Sequence, residues 1–372
     1  MDWNYMQPVK ICFGSGSVGE LPGILEKLDR KNGLLICSGT AVRTGLAEQL
    51  KSGCQGRLTS VYSDISPNTD VKSVDACADI IRRNHIRFVV AIGGGSVLDC
   101  AKAAATVCMT EDSIRKYHGT GVALPQEHLP LIAVPTTSGT GSEVTCVSVL
   151  TDHDLHKKAP IVSDSFYPEY AIVDPELTYS VPLQITAATG MDVLSHAIEG
   201  YWSKGHQPVC DICAVHAAGY VFEYLERCYR DPLDREAREK MAEASVIAGL
   251  AFSIPKTTSS HACSFPLTNI LGIPHGEACA LTLDYFARIN KDSDGGRVRL
   301  LAEKLGFKTV DGMADKIMDM KMAMHMRTDL KDFRLSDGQA AELVKASRHP
   351  NLYNNPVEIT DGMLHEMYEL FR

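Results

Sequence analysis

FVVAIGGGSVLDCAKAAATV, residues 88–107, decides the fold. A short aliphatic run ends in Gly93-Gly94-Gly95, and a small-residue, helix-like stretch begins at Ser96. Glycines between a buried strand and a helix let backbone N–H groups approach a pyrophosphate, with Ser96 and the helix N-terminus completing the anion site. The same alternation spreads outward: Gly33-Leu-Leu-Ile-Cys, the helix-like TDVKSVDACADIIRRNHI (69–86) and Leu131-Ile-Ala-Val flank it. That rhythm predicts a parallel sheet covered by helices up to about residue 180.

A second loop follows the third of these strands in LIAVPTTSGTGSEVT (131–145), where Thr136, Thr137, Ser138, Thr140 and Ser142 offer hydroxyls to phosphate and ribose oxygens. Two such loops at successive strand ends point to a dinucleotide. The spacing is not GxGxxG, and the glycine turn follows a later strand, so a plain Rossmann assignment does not apply. Beyond residue 183 strand-like runs disappear, and REAREKMAEASVIAGLAF and GRVRLLAEKLGF read as amphipathic helices. The expected organisation is an α/β dinucleotide-binding domain over 1–182 and an all-helical domain over 183–372. Pro182 is the hinge, with a site expected in the cleft between them.

In the helical half, TAATGMDVLSHAIEG reads as a buried helix carrying Asp192 and His196 four residues apart, hence on one face. SSHACSF and GIPHGEA add His261 and His275 among small and apolar neighbours. One carboxylate and three imidazoles suit Fe²⁺, Zn²⁺ or a related divalent ion. His85, His118, His153, His156 and His349 stand in polar contexts and are expected at the surface. Cys210 and Cys213 have CxxC spacing, but VCDICAVHAAGYVFEYL has helical periodicity and no second pair follows, so a structural helix is expected.

With 372 residues, 45% of them hydrophobic and 22% charged, the chain can bury a large core. Its net charge of −9 comes from interspersed acids and bases, which leaves no basic stripe for nucleic acid. No apolar run reaches the ~20 residues of a membrane span. The twelve cysteines are scattered through apolar segments and are read as core thiols of a cytoplasmic protein.

GGGSVLDCAK (93–102), PTTSGTGSEVT (135–145), DPEL (174–177), TGMDVLSHAIEG (189–200), the His261-to-His275 spacing ending in PHG and NLYNNP (351–356) together resemble the iron-containing (group III) alcohol dehydrogenases over essentially the whole chain. The fold this implies, shared with dehydroquinate synthase, is an N-terminal α/β dinucleotide-binding domain and an all-α C-terminal metal-binding domain. The resemblance places metal ligands at Asp192, His196, His261 and His275. It places cofactor contacts at Asn68, Gly94, Gly95, Ser96, Thr136, Thr137, Thr140, Thr145, Lys158 and Phe252, and Asp99 and Ser142 are grouped with them. It implies reversible hydride transfer between a small aldehyde and NADH or NADPH, assisted by Fe²⁺ or alternatively Zn²⁺, in a protein expected to be a homodimer.

Two positions depart from the family. Ser38 stands where NAD-preferring members carry an acid for the ribose 2′-hydroxyl, so NADPH should be tolerated, with at most a weak preference for NADH. Phe265 replaces a histidine near the nicotinamide, so protons must travel through water, ribose hydroxyls or a nearby hydroxyl residue. The substrate is read from IPKTTSSHACSFPLT (254–268): were it helical, Lys256, Thr257 and Thr258 would lie near His261 and suit a small anionic aldehyde. That stretch looks like the phosphonoacetaldehyde reductase branch, with sulfoacetaldehyde reductases and general short-chain alcohol dehydrogenases as alternatives. A dehydroquinate synthase-like lyase would need a more basic, polar helical domain. A non-catalytic cofactor-binding protein would have no need of the four ligands.

Overall fold

A computed structural model describes residues 2–155 and 157–372; His156 lies outside the described residues. The chain forms two compact units, one of residues 6–137 and 141–179, the other of residues 1–5, 138–140 and 180–372.

Among the described residues the first unit carries eight strands: β1 (Lys10–Phe13), β2 (Gly33–Cys37), β3 (Leu58–Tyr62), β4 (Phe88–Gly93), β5 (Leu131–Pro135), β6 (Val147–Asp152), β7 (Lys157–Val162) and β8 (Tyr170–Val173). Six of them make one sheet in the order β1-β8-β5-β4-β2-β3, with every pairing parallel. β6 and β7 form a separate antiparallel pair. Its helices are α1 (Leu21–Lys27), α2 (Gly39–Arg43), α3 (Leu46–Gly53), α4 (Val71–Arg83) and α5 (Gly95–Val107).

Side chains alternate across the central strands, as a sheet buried on both faces requires. Leu34, Ile36, Val89 and Ala91 pack with Val74, Ala78 and Leu98 of α4 and α5 on one face. Leu35, Phe88, Val90 and Ile132 pack with Leu21, Ile24 and Ala47 of α1 and α3 on the other. Because β2, β4 and β5 are neighbours in register, with Cys37 opposite Ile92 and Gly93 opposite Pro135, the loops leaving their carboxyl ends emerge side by side. In open α/β sheets that edge is where ligands bind.

The second unit is helical: α6 (Leu183–Trp202), α7 (Pro208–Arg230), α8 (Arg235–Phe252), α9 (Ser259–Leu271), α10 (His275–Asn290), α11 (Arg297–Lys304), α12 (Val310–Ala323), α13 (Asp337–Ala346) and α14 (Asp361–Phe371). α7, α8 and α10 pack around α6, which is buried along most of its length, including Met191, Leu194, Ala197 and Ile198. A helix apolar on all sides belongs at the centre of a bundle, so polar side chains on it face protein. All twelve cysteines are free thiols, and Cys210 and Cys213 sit within α7 as the helical periodicity predicts. Among the described residues no helix is long and apolar enough to cross a membrane.

Candidate functional site

Asp192, His196 and Glu199 share one face of α6, and α9 and α10 bring His261 and His275 to it. The Asp192 Oδ1 atom has three imidazole Nε2 atoms around it: His261 at 3.6 Å, His275 at 3.9 Å and His196 at 4.0 Å. Donors held ~2.1 Å from a common tetrahedral ion sit roughly 3.4 Å apart, so the separations suit one small cation. Asp192 Oδ1 and His261 Nε2 are buried and make no hydrogen bond. Two buried polar atoms left without partners are costly unless something else satisfies them, and a divalent ion would. His275 is the open side, with its side chain 31% exposed.

The surroundings aim the ligands. One oxygen of Glu199 accepts from His261 Nδ1 in a very short contact. The other accepts from the backbone N–H of Thr258 and Ser260 at 3.2 and 2.7 Å and from the Thr258 hydroxyl at 2.7 Å. Glu199 thus caps the start of α9 while fixing the proton of His261 on Nδ1, which leaves the Nε2 lone pair for a metal. Ser264 acts similarly on His275: its hydroxyl donates to the His261 carbonyl at 2.8 Å and so accepts from His275 Nδ1 at 3.3 Å. The His196 ring is stacked on Phe252, the last residue of α8, at 4.1 Å.

The electrostatics agree with a cation site. Burial works against the Asp192 carboxylate, but His196, His261 and His275 outweigh it and hold its pKa below the usual carboxylate range. Burial pushes His196 down to about 4, so it is neutral at pH 7, as a ligand must be. For His261 burial also works downward, yet Cys279 and Glu199 outweigh it and raise the imidazole well above its usual value. That negative field favours a cation beside His261, and a metal taking Nε2 would displace the proton the same field favours.

In the α/β unit, α5 opens at Gly95 with Gly94 as its N-cap, and its first N–H groups have no intrahelical acceptor. A methyl group on Gly94 would stand 3.3 Å from Thr137 Oγ1, so the glycine keeps this cradle open. Thr136 N donates to Gly93 O at 3.0 Å, tying the two loops together, and Ser38 N donates to Ile92 O at 3.2 Å. Gly94, Gly95, Ser96, Thr136, Thr137 and Ser38 are all half-buried at this edge. Asn68, in a left-handed conformation, accepts from Lys158 Nζ at 2.9 Å. Thr140 is half-buried in the short segment that groups with the helical unit.

Asp99, Ser142 and Thr145 are bound within the protein. Lys102, fully buried on α5, donates to Ser142 Oγ at 2.8 Å, Thr145 Oγ1 at 3.2 Å and Val147 O at 2.9 Å. Ser142 Oγ passes a hydrogen bond on to Asp99 at 2.8 Å, and Val149 N donates to the other Asp99 oxygen at 2.9 Å. Burial lowers the Lys102 pKa to about 8, opposed by Asp99. These groups hold Ser142 and Thr145 against α5.

Comparison with known proteins gives the site its family. The iron-containing alcohol dehydrogenase family matches residues 8–175, and the C-terminal part of the Fe-containing alcohol dehydrogenase family matches residues 186–371. The chain belongs to the iron-containing alcohol dehydrogenase family. This iron-containing alcohol dehydrogenase, an alcohol–aldehyde oxidoreductase, is 32% identical to alcohol dehydrogenase 4 of Schizosaccharomyces pombe, over 94% of its own chain and 84% of the other. It is 31% identical to the NAD-dependent methanol dehydrogenase of Bacillus methanolicus, over 95% and 93%. Among solved structures it resembles the sulfoacetaldehyde reductase of Bifidobacterium kashiwanohense in complex with NAD⁺, with 64% identity, a TM-score of 0.98 and coverage of 100% and 99%.

Three expectations for this dehydrogenase need correction. Residues 253–258 are not helical: α8 ends at Phe252 and α9 starts at Ser259, while Lys256 takes φ 67°. Lys256 Nζ donates to Ser253 O at 2.6 Å, Thr257 Oγ1 accepts from Asn351 at 2.8 Å, and Thr258 serves Glu199 and the Trp202 indole. His118 is not at the surface but 3% exposed, with Nε2 3.0 Å from Leu150 O. His349 is half-buried, its ring 4.5 Å from that of Phe265, which in turn lies 6.5 Å from the His275 ring. His85 and His153 are exposed, as expected.

Sequence reasoning missed Glu199, Lys102 and His349. The first two carried a signal, since each is a charged residue on a helix made mostly of small and apolar side chains. Glu199→Gln keeps the size and removes the charge that orients His261. Metal affinity is expected to fall ~10–100-fold, read by competition with a chromophoric chelator; unchanged affinity would remove Glu199 from the site.

Proposed function

We propose that this enzyme reduces a short aldehyde with an anionic head group, with sulfoacetaldehyde as the first candidate, phosphonoacetaldehyde as the second and NADH as hydride donor. The 64% identity over the whole chain to a sulfoacetaldehyde reductase bound to NAD⁺ carries this reading. The alcohol dehydrogenases above are about half as similar.

A divalent ion, Fe²⁺ or Zn²⁺, held by Asp192, His196, His261 and His275 would supply Lewis acidity toward the carbonyl oxygen. Glu199, Ser264 and Phe252 hold the ligand imidazoles in place. The loops at Gly94–Ser96 and Thr136–Thr137 bind the dinucleotide phosphates, and Ser38 leaves the ribose 2′ position neutral, so NADPH also serves. Phe265 has no proton to give.

His349, on the ring beside it, accepts from Asn351 N at 3.2 Å through Nδ1, so the neutral imidazole keeps its N–H on Nε2. With Lys256 tied to a backbone carbonyl, we assign His349 as the donor for the anionic head. A charged hydrogen bond contributes about 1.5–3 kcal/mol, so His349→Phe should raise KM for sulfoacetaldehyde roughly 10–100-fold and leave KM for propanal unchanged. The test is NADH and NADPH oxidation by iron-loaded protein with sulfoacetaldehyde, phosphonoacetaldehyde, lactaldehyde and propanal. A clear win for the neutral aldehydes defeats the reading, and a large preference for NADH defeats the role given to Ser38.

A further inference from the structure

We propose that Cys279 is a fifth ligand of the same metal ion, its thiolate joining Asp192, His196, His261 and His275; this rests on reading that cluster as a metal centre. One donor atom from each of Asp192, His261, His275 and Cys279 lies within 4.8 Å of all the others. Among the described residues no other group of His, Cys, Asp and Glu side chains meets that condition.

The sequence makes the arrangement. Cys279 follows His275 by one turn on α10, so both side chains lie on the face that meets α6 and α9. Its Sγ is 3.8 Å from His275 Nε2. A nitrogen at ~2.1 Å and a sulfur at ~2.3 Å from one five-coordinate ion would stand roughly 3.1–3.8 Å apart. A fully buried cysteine is ordinarily a small core residue, and Cys263 on α9 fits that description. Cys279 differs in what it faces: Asp192 Oδ1 and His261 Nε2, both buried and without hydrogen bonds.

On binding, the S–H bond breaks as the S–metal bond forms, and the proton leaves to the buffer. Each ion bound therefore releases one more proton than in a variant lacking the thiol. Adding a thiolate to a nitrogen and oxygen set also moves the preference from iron toward zinc.

Metal-depleted full-length protein loaded with Co²⁺ separates the two readings. Visible d–d bands report binding at the centre, and a near-ultraviolet thiolate-to-cobalt charge-transfer band reports sulfur. We expect both bands in the wild type, with the charge-transfer band lost in Cys279→Ala and kept in Cys263→Ala. Visible bands without charge transfer in the wild type overturn the cysteine ligand while leaving the metal centre standing; the absence of both overturns the metal centre itself. Persistence of charge transfer in Cys279→Ala also overturns the proposal. Should that variant not fold, zinc-edge X-ray absorption on the wild type decides, with one sulfur at about 2.3 Å expected and none refuting it.

Discussion

His261→Ala, reconstituted with iron, is expected to lose at least about 10³-fold in turnover while binding NADH as the wild type does. The ligand it removes is 5% exposed, with its Nε2 among the donors of the centre and its Nδ1 on Glu199. Without it Asp192 and Glu199 are left as buried carboxylates short of a partner, which costs several kcal/mol. A Lewis acid contributes several kcal/mol to the reaction, and about 4 kcal/mol corresponds to roughly 10³-fold in rate. Metal analysis and fluorescence titration with NADH, run on the same preparation, separate the two effects. Wild-type turnover by a metal-free variant would end the metal-centred reading, and loss of NADH binding would point to a collapsed fold instead.

Gly276→Ala is expected to be the most disruptive conservative change in the helical unit. A Cβ there would lie 2.0 Å from the Ala188 carbonyl oxygen and 3.1 Å from Asp192 Cβ. A backbone atom has no rotamer in which to avoid the methyl group, so the start of α10 must move off α6 and carry His275 away from Asp192. Overpacking of this kind costs about 1–3 kcal/mol, a loss of roughly 2–10 °C in Tm for a unit of this size, and metal affinity should fall at least about tenfold. Gly219→Ala is the control: its Cβ would meet nothing nearer than 3.9 Å, and alanine favours a helix interior. Calorimetry with and without metal makes the comparison; equal melting and equal metal binding by Gly276→Ala would show that the two helices do not constrain the site.

The architecture was legible because buried strands and amphipathic helices have different periods. β2, β4 and β5 are continuous apolar runs, and the sequence marks all three. β1 and β3 were missed because edge strands bury little: KICF is largely exposed and LTSVY buries only its ends. Asp192, His196, His261 and His275 drew notice as candidate ligands because polar residues among apolar ones must face something.

The helix on which the substrate reading leaned is absent over residues 253–258. α8 stops at Phe252 and Lys256 takes a left-handed backbone conformation, and the Thr258 hydroxyl is used by Glu199 and Trp202. Nothing local to His349 or Cys279 distinguishes them. Their relevance comes from long-range packing, in which a short turn before Pro350 lays one ring on Phe265 and a turn of α10 faces one thiol to Asp192.

The two oxygens of Glu199 have separate employments, one at the mouth of α9 and one on His261. A single carboxylate therefore makes the start of a helix and the aim of a ligand one mechanical joint. A metal held by His261 would therefore be linked through Glu199 to the backbone N–H groups that open α9. Binding of such a metal would then favour the folded start of α9.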